Sequence, residues 1–440
     1  MSAPARESFL ATLTAENAMR RLLWVLLVAT LLRVALAFNT YGFEFDMDSL
    51  VLLREQLERD VWGAYGALNV PLNLESFDTQ YRWPYPPGFM PWAAISGAAA
   101  DLGFAYDGVV QLPAIAADAL LALISFDFLR RRGRSPQECL LGGAVIALAP
   151  PLLITSGYHG QIDSLAFLPA AFAVWLWDRD DIWEGRGELS RPLAVGALIG
   201  LGASIKFVPL ILLAAFFPFV ARSPRRAAAL IVPAVGIPLL MFVPFLAADP
   251  EGVRRAIGYS GSPGAGGLSM LLQPGIVEYR LGDALGSVSF NGPSSFFYDF
   301  GGMMALLALA GTSVLLLLKR PEPVLGALLL IVTMYVFAPN NYLHYVVWCL
   351  PFLVMAGWTR IAALIAAWML IPSAIAYWAR DPDLAPLYVL AMAILYAGWI
   401  ALGVMLLRTI RSRGASAPSA PAPRSGPQHS EPGPASSAAS

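Results

Sequence analysis

The sequence predicts an all-α polytopic membrane protein, a bundle of roughly 11–13 transmembrane helices with an amphipathic helix in its first outer loop. Three observations predict it. Apolar residues make up 57% of the chain and charged residues only 13%, about half the charged share of an ordinary soluble domain. Apolar runs long enough to cross the hydrocarbon, or nearly so, recur throughout the chain. Lys and Arg gather in short loops that alternate with those runs. A cytosolic globule, a disordered chain and a fibrous repeat are excluded. The 29 basic against 30 acidic residues leave a net charge of -1, so no nucleic-acid partner is expected. Cys139 and Cys349 lie far apart in apolar runs and form neither a disulfide framework nor a metal pattern.

The clear crossing segments are 22–38, 108–129, 138–155, 164–177, 228–247, 301–318, 323–338, 343–358, 361–378 and 386–407. Residues 193–220 read as two short segments broken around Ser204–Lys206. Residues 88–103 are short and rich in Gly and Ala, and read either as a crossing or as a re-entrant half-helix, of which the second is adopted. With that reading, the basic clusters all fall on one side. They are Arg20–Arg21, Arg130–Arg132 with Arg134, Arg186 with Arg191, Arg222 with Arg225–Arg226, Lys319–Arg320, Arg360, and Arg408 with Arg411 and Arg413. The positive-inside rule then puts residues 1–21 and 408–440 in the cytoplasm. Between them lies one transmembrane domain, 22–407. Arg20–Arg21 and Ala35-Leu-Ala37 resemble a signal peptide, but the apolar run is long and Arg33 interrupts it, so an uncleaved anchor is expected. The Ala, Ser, Pro and Gly tail from Gly414 should be disordered. No sorting signal is evident, so the plasma membrane is the expected location.

Two long segments fall outside, 39–87 and 248–299. In the first, Leu50, Leu53, Leu57 and Val61 recur at helical spacing, with Arg54, Glu55, Glu58, Arg59 and Asp60 opposite. This is an amphipathic helix of the membrane interface. Asp46 and Asp48 sit at its start. Asp48 suits an N-cap, and a carboxylate pair there also suits a general base or a divalent-cation site. The two readings are compatible. The loop closes on Gln80-Tyr-Arg-Trp-Pro-Tyr-Pro-Pro87. Its Arg82 is either part of an aromatic belt or a cation for an anionic lipid head group.

Polar residues inside an apolar scaffold are costly and usually functional. Gly157-Tyr-His-Gly-Gln-Ile-Asp-Ser164 gathers His159, Gln161 and Asp163 on the outer side. Lys206 stands in the middle of the broken pair, where it must snorkel or meet an anion. Ala338-Pro-Asn-Asn-Tyr-Leu-His344 adds Asn341 and His344 to the same side. Asp118, inside a crossing segment, must either pair or be protonated, and packing against a polar neighbour in the bundle is the expected role. Acids beside bases suit transfer from an anionic leaving group. No Walker loop, Rossmann fingerprint or nucleophile elbow is present.

In this order the motifs resemble the GT-C superfamily of integral-membrane glycosyltransferases, in particular mannosyltransferases that use polyprenyl-phosphate sugars. Phe45-Asp-Met-Asp-Ser49 is similar to the family's Asp-x-Asp, and Gln80–Pro87 to its Tyr-Arg-Tyr-Pro stretch. Gly160-Gln-Ile-Asp-Ser-Leu165 resembles its Gly-Gln-x-Asp. Ile205-Lys-Phe-Val-Pro209 resembles its Lys-x-x-Pro, and Pro339–Pro351 its late motif ending in Leu-Pro. Ser49 departs from the aromatic or second acid of many relatives, and loop 248–299 matches nothing in the pattern.

The resemblance implies inverting transfer of a hexose, mannose first, from a polyprenyl-phosphate donor to a hydroxyl of a glycan, glycolipid or protein, at the outer face of the bilayer. It assigns Asp48 as base and Asp46 as its companion. Both would be the ligands if Mg2+ or Mn2+ is used, and no other cofactor is implied. Arg82, Tyr81, His159, Gln161, Asp163, Lys206, Asn341 and His344 would bind substrate. A transporter or flippase of lipid-linked sugar is the alternative, since broken helices and buried charges mark those too. An enzyme using a lipid pyrophosphate is a third reading.

Overall fold

A computed structural model describes residues 14–69, 82–258, 266–281, 292–339 and 341–415. Its regular elements are helical throughout. The long first span, α1 (Ala15–Asn39), is capped by Thr14. Next come α2 (Glu44–Arg59), α3 (Met90–Asp101) and α4 (Tyr106–Arg131). α5 (Pro136–Leu148) starts on a capping box between Ser135 and Glu138 and continues through Pro150–Ile154 into a π turn, Thr155–His159. α6 (Asp163–Trp177) and α7 (Ser190–Ala203) are shorter. Then follow α8 (Pro224–Ala248), α9 (Pro293–Lys319) and α10 (Pro323–Phe337). A 3-10 turn, Leu343–Trp348, leads into α11 (Leu350–Met355). α12 (Thr359–Trp368) runs on to a second π turn, Ile375–Ala379, before α13 (Ala385–Ala415).

Among the described residues, seven helices are long and apolar enough to cross a membrane, and five more apolar helical segments are shorter. Together they match the expected number of segments. Leu240 on α8 is 71% exposed and Leu318 on α9 is 73% exposed. Water would not tolerate such faces over whole helices, whereas acyl chains would.

The expected break in 193–220 is real. α7 ends at Ala203 and a 3-10 turn resumes at Val208. α3 has only 12 residues, about 18 Å of helix, too short to cross the hydrocarbon. It packs along α2, where Arg54 bridges to Asp101 at 2.8 Å. Two expectations shift. The apolar face of α2 is covered by protein: Met47, Leu50, Leu53 and Leu57 pack with Trp83, Phe89, Met90 and Tyr106. Val61 lies past the helix end and is exposed. The last helix runs to Ala415, beyond the expected limit at 407, and residues 416–440 lie outside the described part.

The bundle has two distinct ends. At one, Arg132 joins Asp178 at 2.7 Å and Glu322 at 2.6 Å, gathering three of the loops that carry basic clusters. α6 starts at the other end and arrives here, so its 15 residues place Asp163 about 22 Å away.

Candidate active site

Asp46 and Asp48 lie in the first turns of α2, two positions apart. At about 100° per residue their side chains leave the helix on different sides. The structure follows that geometry. Asp46 accepts hydrogen bonds from Gln161 Nε2 at Oδ1 and meets His159 Nε2 at Oδ2, both at 2.6 Å. Asp48 instead accepts from the Tyr41 hydroxyl at 2.6 Å. Burial, and next the Asp48 carboxylate, push the Tyr41 phenol up, so it stays a donor. Asp48 is not the N-cap either: α2 begins at Glu44, with Phe43 before it. The acid that joins the basic side chains is Asp46.

His159, Gln161 and Asp163 reach this point because the chain is not regular there. The π turn ends on Gly160, whose φ is +84°. Only glycine adopts that conformation without strain, and a Cβ would also run into the Met47 sulfur. Past Gly160 the backbone presents Gln161, then starts α6 at Asp163. The helix break does the same for Lys206. The Ser204 carbonyl, freed from the helix ladder, accepts from Gly88 N–H at 2.7 Å, which ties the break to the Trp83–Pro87 stretch.

Lys206 Nζ donates to Asp163 Oδ2 at 2.8 Å and to Gln161 Oε1 at 2.9 Å, and lies 4.8 Å from the centre of the Tyr85 ring. It meets an anion and does not snorkel. Trp348 Nε1 donates to the other Asp163 oxygen at 2.6 Å. The network is therefore continuous: Tyr377, His159, Asp46, Gln161, Lys206, Asp163, Trp348. His344 stands at its edge, 3.9 Å from Asp163 and edge-on to the His159 ring at 4.8 Å. Five separate parts of the sequence supply these groups, and nearly all are buried. A polar chain inside an apolar bundle costs little only when its members satisfy one another, as these do.

Arg82 lines a cleft with Asp46, Tyr85 and Gln161. Its guanidinium donates to the Phe45 carbonyl at 3.2 Å and covers the Phe45 ring at 4.3 Å. Asn341 is buried beside Gly266 and, among the described residues, makes no hydrogen bond to the network. Tyr81 lies outside the described residues. Asp118 finds its expected polar partner in Arg33, at 2.9 Å.

Asp46 and Asp48, the ligands expected if Mg2+ or Mn2+ is used, turn to different partners here, Asp46 to His159 and Gln161 and Asp48 to Tyr41. Among the described residues, no group of three or more His, Cys, Asp or Glu is arranged to hold a metal ion.

Tyr377, Trp348 and Tyr85 were not singled out as site residues from the sequence. Trp348 and Tyr85 did lie inside quoted motifs. Tyr377 sits at the end of an apolar run, where an aromatic reads as interface or core. Its hydroxyl bonds to His159 Nδ1 because the second π turn ends beside the first.

A sequence model of glycosyltransferase family 87 matches residues 83–339, more than half of the chain. The chain belongs to glycosyltransferase family 87. That family is of the GT-C type, so the protein is a membrane glycosyltransferase, and membership favours the enzyme over the transporter or flippase. The match to family 87 takes in Arg82's neighbour Trp83, the π-turn residues and Lys206. It begins after α2 and ends before His344. No curated protein matched the chain.

Proposed function

We propose that this family 87 enzyme moves a hexose, mannose first, from a polyprenyl monophosphate to an acceptor hydroxyl, inverting the anomeric centre. The observation that carries the reading is the link through Gln161 between a carboxylate, Asp46, and a buried ammonium, Lys206. One end of that link suits an acceptor proton and the other a leaving phosphate.

In this reading the acceptor oxygen attacks the anomeric carbon while Asp46 takes its proton. The bond between that carbon and the phosphate oxygen breaks, and its electron pair leaves on the phosphate. His159 and Gln161 hold the Asp46 carboxylate in place beforehand. Arg82, at the mouth of the cleft, and Lys206 meet the charge that develops on the phosphate. Losing one such fixed contact commonly costs about 3–4 kcal/mol of barrier. No step is routed through a metal ion. The sugar end of the donor lies at the end of the bundle opposite the Arg132 loops. By the positive-inside rule that end faces out of the cell, with both termini inside and the bilayer that of the plasma membrane.

The test uses membranes carrying the full chain, supplied with radiolabelled decaprenyl-phosphate mannose. Asp46→Asn should abolish release of decaprenyl phosphate, while Asp48→Asn should retain most of it. A wild-type rate for Asp46→Asn would overturn the assignment of the base. Wild-type enzyme that consumes no polyprenyl-phosphate sugar would overturn the donor class.

A further inference from the structure

Behind the His159 turn lies an ionic cluster that the proposed chemistry does not touch. Arg33 on α1 and Asp118 on α4 are 2% and 1% exposed, and they pair at 2.9 Å through Nε and Oδ2. Arg33 Nη1 is spent on backbone, donating to the Ala147 carbonyl at 2.8 Å and the Ala29 carbonyl at 3.2 Å. The fully buried hydroxyl of Ser156 completes the cluster. It lies 2.6 Å from Asp118 Oδ2 and accepts from Arg33 Nε at 3.2 Å.

Ser156 is a member of the π turn that ends at His159. The same turn meets α1 a second time: a Cβ on Gly157 would stand 3.0 Å from Arg33 Cα and 3.1 Å from its carbonyl oxygen. A π turn interrupts the regular helix ladder, so its own hydrogen bonds define its direction less firmly than an α-helix would. Something outside the turn must fix it. If stability alone mattered, apolar residues of the same volume would serve as well as a buried ion pair, or better. Charges inside a membrane bundle are costly and mark functional positions.

We propose that Arg33, Asp118 and Ser156 form an anchor that positions the π turn, and through it sets the His159 imidazole against Asp46. They are positioning residues: all three are buried, and their hydrogen bonds go to one another and to backbone carbonyls. The inference rests on the reading in which Asp46 is the base and His159 orients it.

The experiment compares Ser156→Ala, Ser156→Thr, His159→Gln and the double variant Ser156→Ala with His159→Gln. Each is assayed in membranes with radiolabelled decaprenyl-phosphate mannose at varied concentration. Thermal unfolding is measured on the purified full chain in detergent. Ser156→Ala keeps the Arg33–Asp118 pair and should lower kcat about tenfold with KM for the donor unchanged, while the lost buried hydrogen bond lowers the unfolding temperature only slightly and leaves the protein folded at the assay temperature. Ser156→Thr keeps the hydroxyl and should restore most of the rate. In the His159→Gln background, Ser156→Ala should have no further effect, because the residue being positioned is already gone.

An unchanged kcat for Ser156→Ala, or a loss of the same size on top of His159→Gln, would overturn the anchor. So would a fall in unfolding temperature large enough to account for the lost rate. A wild-type rate for His159→Gln alone would strike the underlying reading instead, and the anchor with it.

Discussion

Asp46 and His159, 113 positions apart in the chain, meet at 2.6 Å. The contact joins the first helix turn after one span to the π turn that closes another. Neither partner is deeply informative alone. Together they give a carboxylate one fixed direction, which a general base requires. On the far side of the imidazole stands Tyr377, and that arrangement yields the first prediction.

If Asp46 accepts from His159 Nε2, then Nδ1 is left to accept from the Tyr377 hydroxyl. Tyr377→Phe keeps the ring, with its contacts to Phe43 and Tyr158, and removes only that donor. The imidazole loses the bond that fixes its tautomer. We expect release of decaprenyl phosphate to slow by about tenfold with donor KM unchanged, as for other partners that orient a functional imidazole. A rate equal to wild type would show that Tyr377 is packing alone.

A second prediction separates charge balance from catalysis at Lys206. Its side chain and that of Asp163 are 6% and 0% exposed. Lys206→Met leaves a buried carboxylate without its counter-ion, a change that typically costs about 3–5 kcal/mol. The purified protein should therefore unfold at a clearly lower temperature. Adding Asp163→Asn removes the stranded charge and should recover most of that stability. Neither protein should transfer sugar, because the cation is missing from both. Transfer by the double variant would remove Lys206 from the chemistry.

Gly160 supplies the third. A side chain at φ +84° is strained, by roughly 1–2 kcal/mol for an L-residue, and here its Cβ also meets Met47. Gly160→Ala should lower the unfolding temperature. It should also reduce transfer, because Gln161 and Asp163 take their direction from this residue. Gly133 has a similar φ of +70° but open space around it. Gly133→Ala should cost stability alone and leave the rate per folded molecule unchanged.

Much of the site was legible in the sequence for an energetic reason. A membrane bundle tolerates few polar residues, so His159, Gln161, Asp163, Lys206 and His344 stood out against apolar neighbours, and Asp46 stood out with Asp48 as an acidic pair just past the first span. Tyr377 did not, because a tyrosine in an apolar run reads as interface or core. Its role depends on two π turns lying side by side, and a π turn has no compositional signal. The carboxylates show the opposite limit. Asp46 and Asp48 are equivalent by composition and nearly so by position, and only the exit angle from α2 tells them apart.

The sequence by itself determined the class of the molecule and the inventory of its chemistry. Composition leaves too little polar surface for water, and hydrocarbon admits only helices or closed barrels, of which long continuous apolar runs select helices. Only the tertiary structure decided which acid faces which base. Hydropathy fixes how many segments are apolar, but not the rotation of each helix about its axis. That rotation follows from packing: Met47 and Leu50 of α2 must point into protein. With that face buried, Asp46 is carried toward His159 and Gln161, and Asp48 is left with Tyr41.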